Sequence, residues 1–81
     1  MSFLHSEVYL GSGERVRIDL DRQANVRMLD DYNFRRYRDR ESYSFHGGRA
    51  LRSPLILGAP SPGRWHVVIE GPVRAAVTKL S

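Results

Sequence analysis

No cysteine occurs anywhere in the chain. Disulfides and thiolate metal sites are therefore excluded as supports for its core, and the absence fits a reducing compartment. Lysine is nearly missing too: of thirteen basic residues, only Lys79 is not arginine. No apolar run approaches the roughly 20 residues that span a bilayer, so no membrane association is expected. The opening Met1-Ser2-Phe3-Leu4-His5-Ser6-Glu7 has neither the basic start nor the apolar stretch of a signal peptide. A cytoplasmic location is the expectation. Repeats, linkers and low-complexity tracts are absent. So are a nucleophile elbow and any Ser-His-Asp order, which leaves a non-enzymatic role as the expectation.

Residues 1–81 have room for one domain and no second core. A chain of this length buries only about 60–65% of the surface its unfolded form exposes, so its stability is modest. The net charge of +4 is concentrated in one place. Six arginines, at 35, 36, 38, 40, 49 and 52, face only Asp39 and Glu41 over that span, while the remaining seven basic and seven acidic residues cancel. The same central stretch, Leu29 to Pro54, carries three of the four tyrosines and two of the three phenylalanines. Arginine offers a planar fork to phosphate or carboxylate and stacks on aromatic rings. A run of solvated surface charge is the plainer reading of the same residues.

Around this stretch the chain reads as short strands. Glu7-Val8-Tyr9-Leu10 ends a first strand at the Gly11-Ser12-Gly13 turn, where glycine supplies the positive φ of a tight turn. Glu14 to Leu20 alternates strictly, Val16, Ile18 and Leu20 against Arg15, Arg17 and Asp19, which marks a half-buried strand. Ala24 to Leu29 continues the inward face with Val26 and Met28. Asp30-Asp31 before Tyr-Asn-Phe-Arg-Arg-Tyr-Arg predicts a capped helix over about 31–39, with Phe34 and Tyr37 on one side. Ser42-Tyr43-Ser44-Phe45 alternates as a further strand, broken or bulged at Gly47-Gly48. Leu55-Ile56-Leu57 follows Pro54 as another. Pro62-Gly63 predicts a type II turn launching Arg64 to Glu70, with Trp65, Val67 and Ile69 inward and His66 at the opposite, surface face. Val73 to Leu80 is the last strand.

The residues that carry chemistry are few. His5, His46 and His66 lie twenty or more residues apart with no His-x-x-x-His spacing, so no metal site is expected. Their plain reading is one flexible terminal histidine and two strand histidines. Asp30-Asp31 reads as a cap with favourable charge at the helix start rather than as a catalytic base. Gly47-Gly48-Arg49 could form a small nest of backbone N–H groups for an anion, although a glycine pair serves equally as a bulge or hairpin. Tyr32, Phe34, Tyr37, Tyr43 and Phe45 interleave with Arg35, Arg36, Arg38 and Arg40, the mixture of rings and cations that holds single-stranded nucleic acid. Phe34 and Phe45 are also needed to cover a small core.

Three pieces carry a resemblance. They are Ala24-Asn25-Val26-Arg27-Met28-Leu29-Asp30 running into Asn33-Phe34 and Tyr37, Gly47-Gly48 followed by Ser53-Pro54, and Gly63-x-Trp65-His66-Val67-Val68-Ile69. In this order and spacing the chain resembles the small bacterial domain-of-unknown-function family numbered 1883, over roughly Leu10 to Leu80. The resemblance implies a compact β-sandwich, sometimes fused to TIR signalling domains, and no assigned activity. His46 stands where the family tends to have an aromatic residue, and Pro72 to Ser81 matches loosely.

The expected fold is all-β or β-rich: a single small sandwich or barrel of six to seven short strands with one short helix at about 31–39. Its expected core is Val16, Ile18, Leu20, Val26, Met28, Phe34, Leu55, Leu57, Trp65, Val67 and Ile69. The expected role is a binding module for an anionic small ligand or an acidic partner protein, with no cofactor. The candidate ligand residues are Arg35, Arg36, Tyr37, Arg38, His46, Gly47, Gly48, Arg49 and His66. A single-stranded nucleic-acid binder and a structural homo-oligomer are the alternatives.

Overall fold

The strict alternation of residues 15–20 is realised as a strand, and six others join it. A computed structural model describes residues 3–80 as β1 (Phe3–Leu10), β2 (Arg15–Leu20), β3 (Ala24–Asp30), α1 (Asp31–Arg38), β4 (His46–Ala50), β5 (Leu55–Gly58), β6 (Gly63–Glu70) and β7 (Ala75–Leu80). Residues 1, 2 and 81 lie outside the description, and with them the first two positions of the Met1–Glu7 stretch. The strands form two antiparallel sheets, ordered β1-β6-β3-β4 and β5-β2-β7. The turn after β1, closed by Glu14 N–H donating to the Gly11 carbonyl at 3.0 Å, carries the chain from one sheet to the other, with Gly13 at φ 79°.

The sheets pack face to face as a sandwich, and the inward residues of β2, β3 and β6 fill the space between them. Val16, Ile18, Val26, Met28, Trp65, Val67 and Ile69 are buried there, joined by Leu10, Ala24, Ala50 and Ala59. Leu20, Leu55 and Leu57, expected in the core, are half-buried at its rim. The Trp65 indole N–H is not stranded by this burial, since it donates to the Ser61 carbonyl at 3.0 Å.

Phe34 is buried elsewhere. With Leu29 and Val68 it forms a second cluster, bordered by Phe3, Tyr37 and Tyr43, on the outer side of the four-stranded sheet beneath α1. The molecule thus has three layers: helix, sheet, sheet. Five consecutive β6 residues, Trp65 to Ile69, are buried, the pattern of a strand covered on both faces rather than half-exposed. Asp30 caps the helix, its carboxylate accepting the Asn33 backbone N–H at 2.8 Å, and the helix ends at Arg38, with Asp39 as its C-cap, close to the expected boundary.

Three local expectations change. Residues 42–45 are not a strand, and the strand begins at His46 instead. Their backbone is tied to the helix: Asn33 Oδ1 accepts the Ser44 N–H at 2.9 Å, and Arg36 Nε donates to the Ser42 carbonyl. Gly47-Gly48 sits inside β4 without a register slip, Gly47 opposite Arg27 and Gly48 opposite Val26. At 60–62 the chain bends, and Gly63, at φ 149°, already belongs to β6. That φ is far from the roughly +80° of a type II turn.

Replacing Trp65 or Phe34 by alanine removes a large buried ring from one cluster each, and each substitution is expected to cost about 3–5 kcal/mol. Denaturant unfolding followed by circular dichroism checks this. A Phe34→Ala midpoint equal to that of the parent would mean that α1 does not seal the outer face of the sheet.

Candidate ligand cleft and histidine cluster

Antiparallel pairing of β1 with β6 sets Glu7 opposite His66 and His5 opposite Val68, while β3 sets Leu29 opposite His66. All of these face the helix layer. Along β6 the residues under α1 are His66, Val68 and Glu70, spaced by two; along α1 the residues meeting them are Asp31, Phe34 and Tyr37, spaced by three. Each polar residue of the strand meets a polar group of the helix, and the apolar ones meet between them.

At the first end, an Asp31 carboxylate oxygen accepts from His66 Nε2, and the other oxygen lies 3.3 Å from Arg64 Nε. That hydrogen bond from His66, aided by Arg64, holds the Asp31 carboxyl below its usual range. With its proton on Nε2, His66 presents a lone pair at Nδ1, which lies 2.8 Å from His5 Nε2 and 4.0 Å from a Glu7 oxygen. The two imidazoles lie edge to edge, tilted by only 17°. The Phe34 ring stacks over both at centroid distances of 4.3 Å. Burial lowers the His5 pKa, and neighbouring His66 pushes it the same way. The ligand atoms of His5, Glu7 and His66 all fall within 4.8 Å of one another.

At the other end, Glu70 takes a hydrogen bond from Tyr37 Oη at 2.5 Å and an ion pair from Arg27 Nη1. The Arg27 guanidinium also lies 5.3 Å from the Phe45 ring centroid and 5.9 Å from that of Tyr37, while its Nε is buried without a partner. Burial pushes the Glu70 carboxyl up, but the bonds from Tyr37 and Arg27 outweigh it and leave the pKa lowered. Burial and the adjacent Glu70 raise the Tyr37 pKa well above its usual value.

Beside this pair opens a cleft of about 620 Å³, lined by Phe3, Tyr37, Arg38, Arg40, Glu41, Tyr43 and Glu70. Tyr37 and Tyr43 meet edge-on at 5.2 Å. Arg40 holds a left-handed φ of 60°, which turns the chain out of the helix at the cleft's rim.

The family model described as domain of unknown function DUF1883 matches residues 1–81. The chain belongs to this family. No curated protein and no solved structure matches it. No helix among the described residues is long and apolar enough to cross a membrane.

In this DUF1883 chain the nine residues singled out by sequence fall into separate places. Tyr37 and Arg38 line the cleft. Arg35 projects from the exposed side of α1, and Arg36 is occupied with Ser42, Glu41 at 3.8 Å and the Tyr32 ring at 5.5 Å. Arg49 lies on edge strand β4, donating to Gln23 at 3.2 Å. His46 meets Trp65 edge-on at 5.8 Å, on the opposite side of the sheet from His66.

Two expectations are corrected. His66 is not a surface residue: it is 5% exposed because α1 covers the face that alternation assigned to solvent. Gly47-Gly48 is not a glycine turn, as its backbone belongs to the β3–β4 ladder. Gly47 is needed there for another reason. At its φ of 113° a Cβ would fall 2.6 Å from the Val26 carbonyl oxygen.

Sequence reasoning passed over Glu7, Arg27 and Glu70, and it set aside a pairing of Asp30-Asp31 with a histidine in favour of the helix cap, although Asp31 is the partner of His66. Wide sequence spacing separated His5 from His66, yet strand pairing joins them. The available signal was His5-x-Glu7, two residues on one face of a strand.

The folded-state pKa of Glu70 lies below its unfolded value of 4.5. Its stabilisation is therefore fully present above that pH and is lost as pH falls through the folded value. Glu70→Gln is expected to destabilise the neutral protein by about 1.5–3 kcal/mol. It should also flatten the decline in stability as pH falls below 4.5. Urea titrations at stepped pH measure both, and parallel pH profiles for parent and variant would sink the assignment.

Proposed function

We propose that this domain is a non-enzymatic binding module for a small ligand that combines a flat ring with a negative group. The observation that carries this reading is one cleft lined by two tyrosines and two arginines, Tyr37, Tyr43, Arg38 and Arg40. Its size lies within the roughly 300–1,000 Å³ of small-molecule sites. Tyr43 offers a ring face or edge for stacking. Arg40, exposed and at the rim, offers a guanidinium fork that suits phosphate or carboxylate. Glu70, at the same cleft, is already neutralised by Arg27 and Tyr37 and so repels an anion less than a free carboxylate would. The scattering of Arg35, Arg36 and Arg49 over separate surfaces favours a compact ligand over a long phosphate track. A cytoplasmic sensor or interaction part is the setting this reading suits, with TIR-type signalling suggested by the family resemblance alone.

Amide-shift titration of the labelled domain with mono- and dinucleotides, then with a short mixed single strand, at two salt concentrations, tests the reading. Shifts should centre on residues 37–43 with Phe3 and Glu70, and saturate at one ligand per chain. Tyr43→Ala should weaken binding about tenfold. Arg40→Asn, which tolerates the left-handed φ while removing the charge, should weaken it by a similar factor, about tenfold. Tighter binding of the strand with a steep salt dependence would instead favour single-stranded nucleic acid. Silence with both would turn attention to an acidic protein partner or self-association.

A further inference from the structure

Away from the cleft, the cluster at the start of α1 has the parts of a metal site. We propose that His5, Glu7 and His66 bind one divalent transition-metal ion of the zinc type, through His5 Nε2, His66 Nδ1 and a Glu7 carboxylate oxygen. Two imidazoles and one carboxylate are a donor set suited to such an ion. The three side chains come from neighbouring strands of one sheet and face the same way, because His5 and Glu7 are two apart on β1 and Glu7 pairs with His66.

The buried member of the set is oriented by its surroundings. Asp31 accepts the His66 Nε2 proton, so the Nδ1 lone pair points at the other two donors. A carboxylate on the far nitrogen of a histidine fixes the tautomer and raises ligand basicity, the arrangement found behind many metal-bound histidines. Arg64, 3.3 Å from Asp31 and 3.9 Å from a Glu7 oxygen, ties the outer oxygens of both carboxylates. The Glu7 oxygen nearer His66 is a different one, at 4.0 Å. Phe34 stacks on both rings and holds the buried His66 in its orientation.

Without a cation, the His66 lone pair accepts the His5 Nε2 proton at 2.8 Å. With one, His5 carries that proton on Nδ1 and offers Nε2 as a second lone pair. Donors about 2.0–2.1 Å from a tetrahedral ion stand about 3.3–3.5 Å apart. His5 Nε2, which meets the His66 lone pair head-on, must therefore swing aside by roughly 2 Å for both lone pairs to converge on a tetrahedral ion, and Glu7 must approach by roughly half an ångström. His5 and Glu7 are the exposed members of the set and make this adjustment, while the buried His66 stays in place. Three protein donors leave a fourth tetrahedral position for water or another ligand.

Calorimetric titration of the full chain with Zn²⁺, and visible absorption with Co²⁺, test the site. One ion per chain should bind. His5→Ala and Glu7→Gln, both at exposed positions, should each weaken binding at least about tenfold, and Asp31→Asn by about 10–100-fold through loss of orientation. His46→Ala should leave affinity unchanged. In the ¹⁵N spectrum of the histidine rings, Zn²⁺ should move His66 Nδ1 far more than Nε2. Absence of saturable binding at about 1 mM ion would overturn the site. Affinity indifferent to both His5→Ala and Glu7→Gln would overturn it equally, as would a larger shift at His66 Nε2 than at Nδ1. The cleft reading stands or falls separately, since it uses none of these residues.

Discussion

The covering of the second face of β6 by α1 is the constraint on which the rest of this structure depends. A strand at the middle of a sandwich ordinarily buries one face. Here Val68, Leu29 and Phe34 form a second apolar contact on the other side. Once that face is shut, His66 and Glu70 cannot be left to water and must find partners within the protein. The helix supplies both, Asp31 at its first residue and Tyr37 two turns later. The geometry of the histidine cluster and the floor of the cleft are consequences of this requirement.

The sandwich core was legible from alternation because Val16, Ile18, Val26, Met28, Trp65, Val67 and Ile69 face a common interior and obey a period of two. The helix was legible for a local reason as well: Asp30 caps it through its own side chain. What stayed hidden depended on partners far away in sequence. Alternation predicts which residues share a face, but not whether a further layer covers that face. His66 was therefore assigned to solvent, although the run Trp-His-Val-Val-Ile is nearly apolar throughout. Residues 42–45 have the composition of a strand, yet Asn33 and Arg36 take up the backbone groups at Ser44 and Ser42 and hold them as a strap along α1.

The arginine surplus was equally legible as composition and misleading as a surface. Treated as one basic segment, residues 35–52 suggest a continuous binding track. In the fold the cations divide: Arg36 holds the strap, Arg49 sits at a sheet edge, and Arg38 and Arg40 reach the cleft. Arg27, outside the segment and unremarkable in sequence, is the one that enters the interior to meet Glu70. Charge counted along a chain measures supply, and only the fold decides which cations remain free.

Polar pairs at both ends of an apolar contact are a costly way to gain stability, since hydrophobic residues of similar size often serve as well. Their stronger effect is on register. Phe34 and Val68 alone would tolerate a helix rotated or shifted along β6, because apolar contact is non-directional. Asp31 on His66 and Tyr37 on Glu70 fix both ends at once, as any slide would strand buried polar groups at two places. That registration keeps the histidine nitrogens aimed outward at one end of the helix and the tyrosine and arginine side chains convergent at the other. The residues that lock α1 to the sheet are thus the same ones that shape the two surfaces on which chemistry can occur.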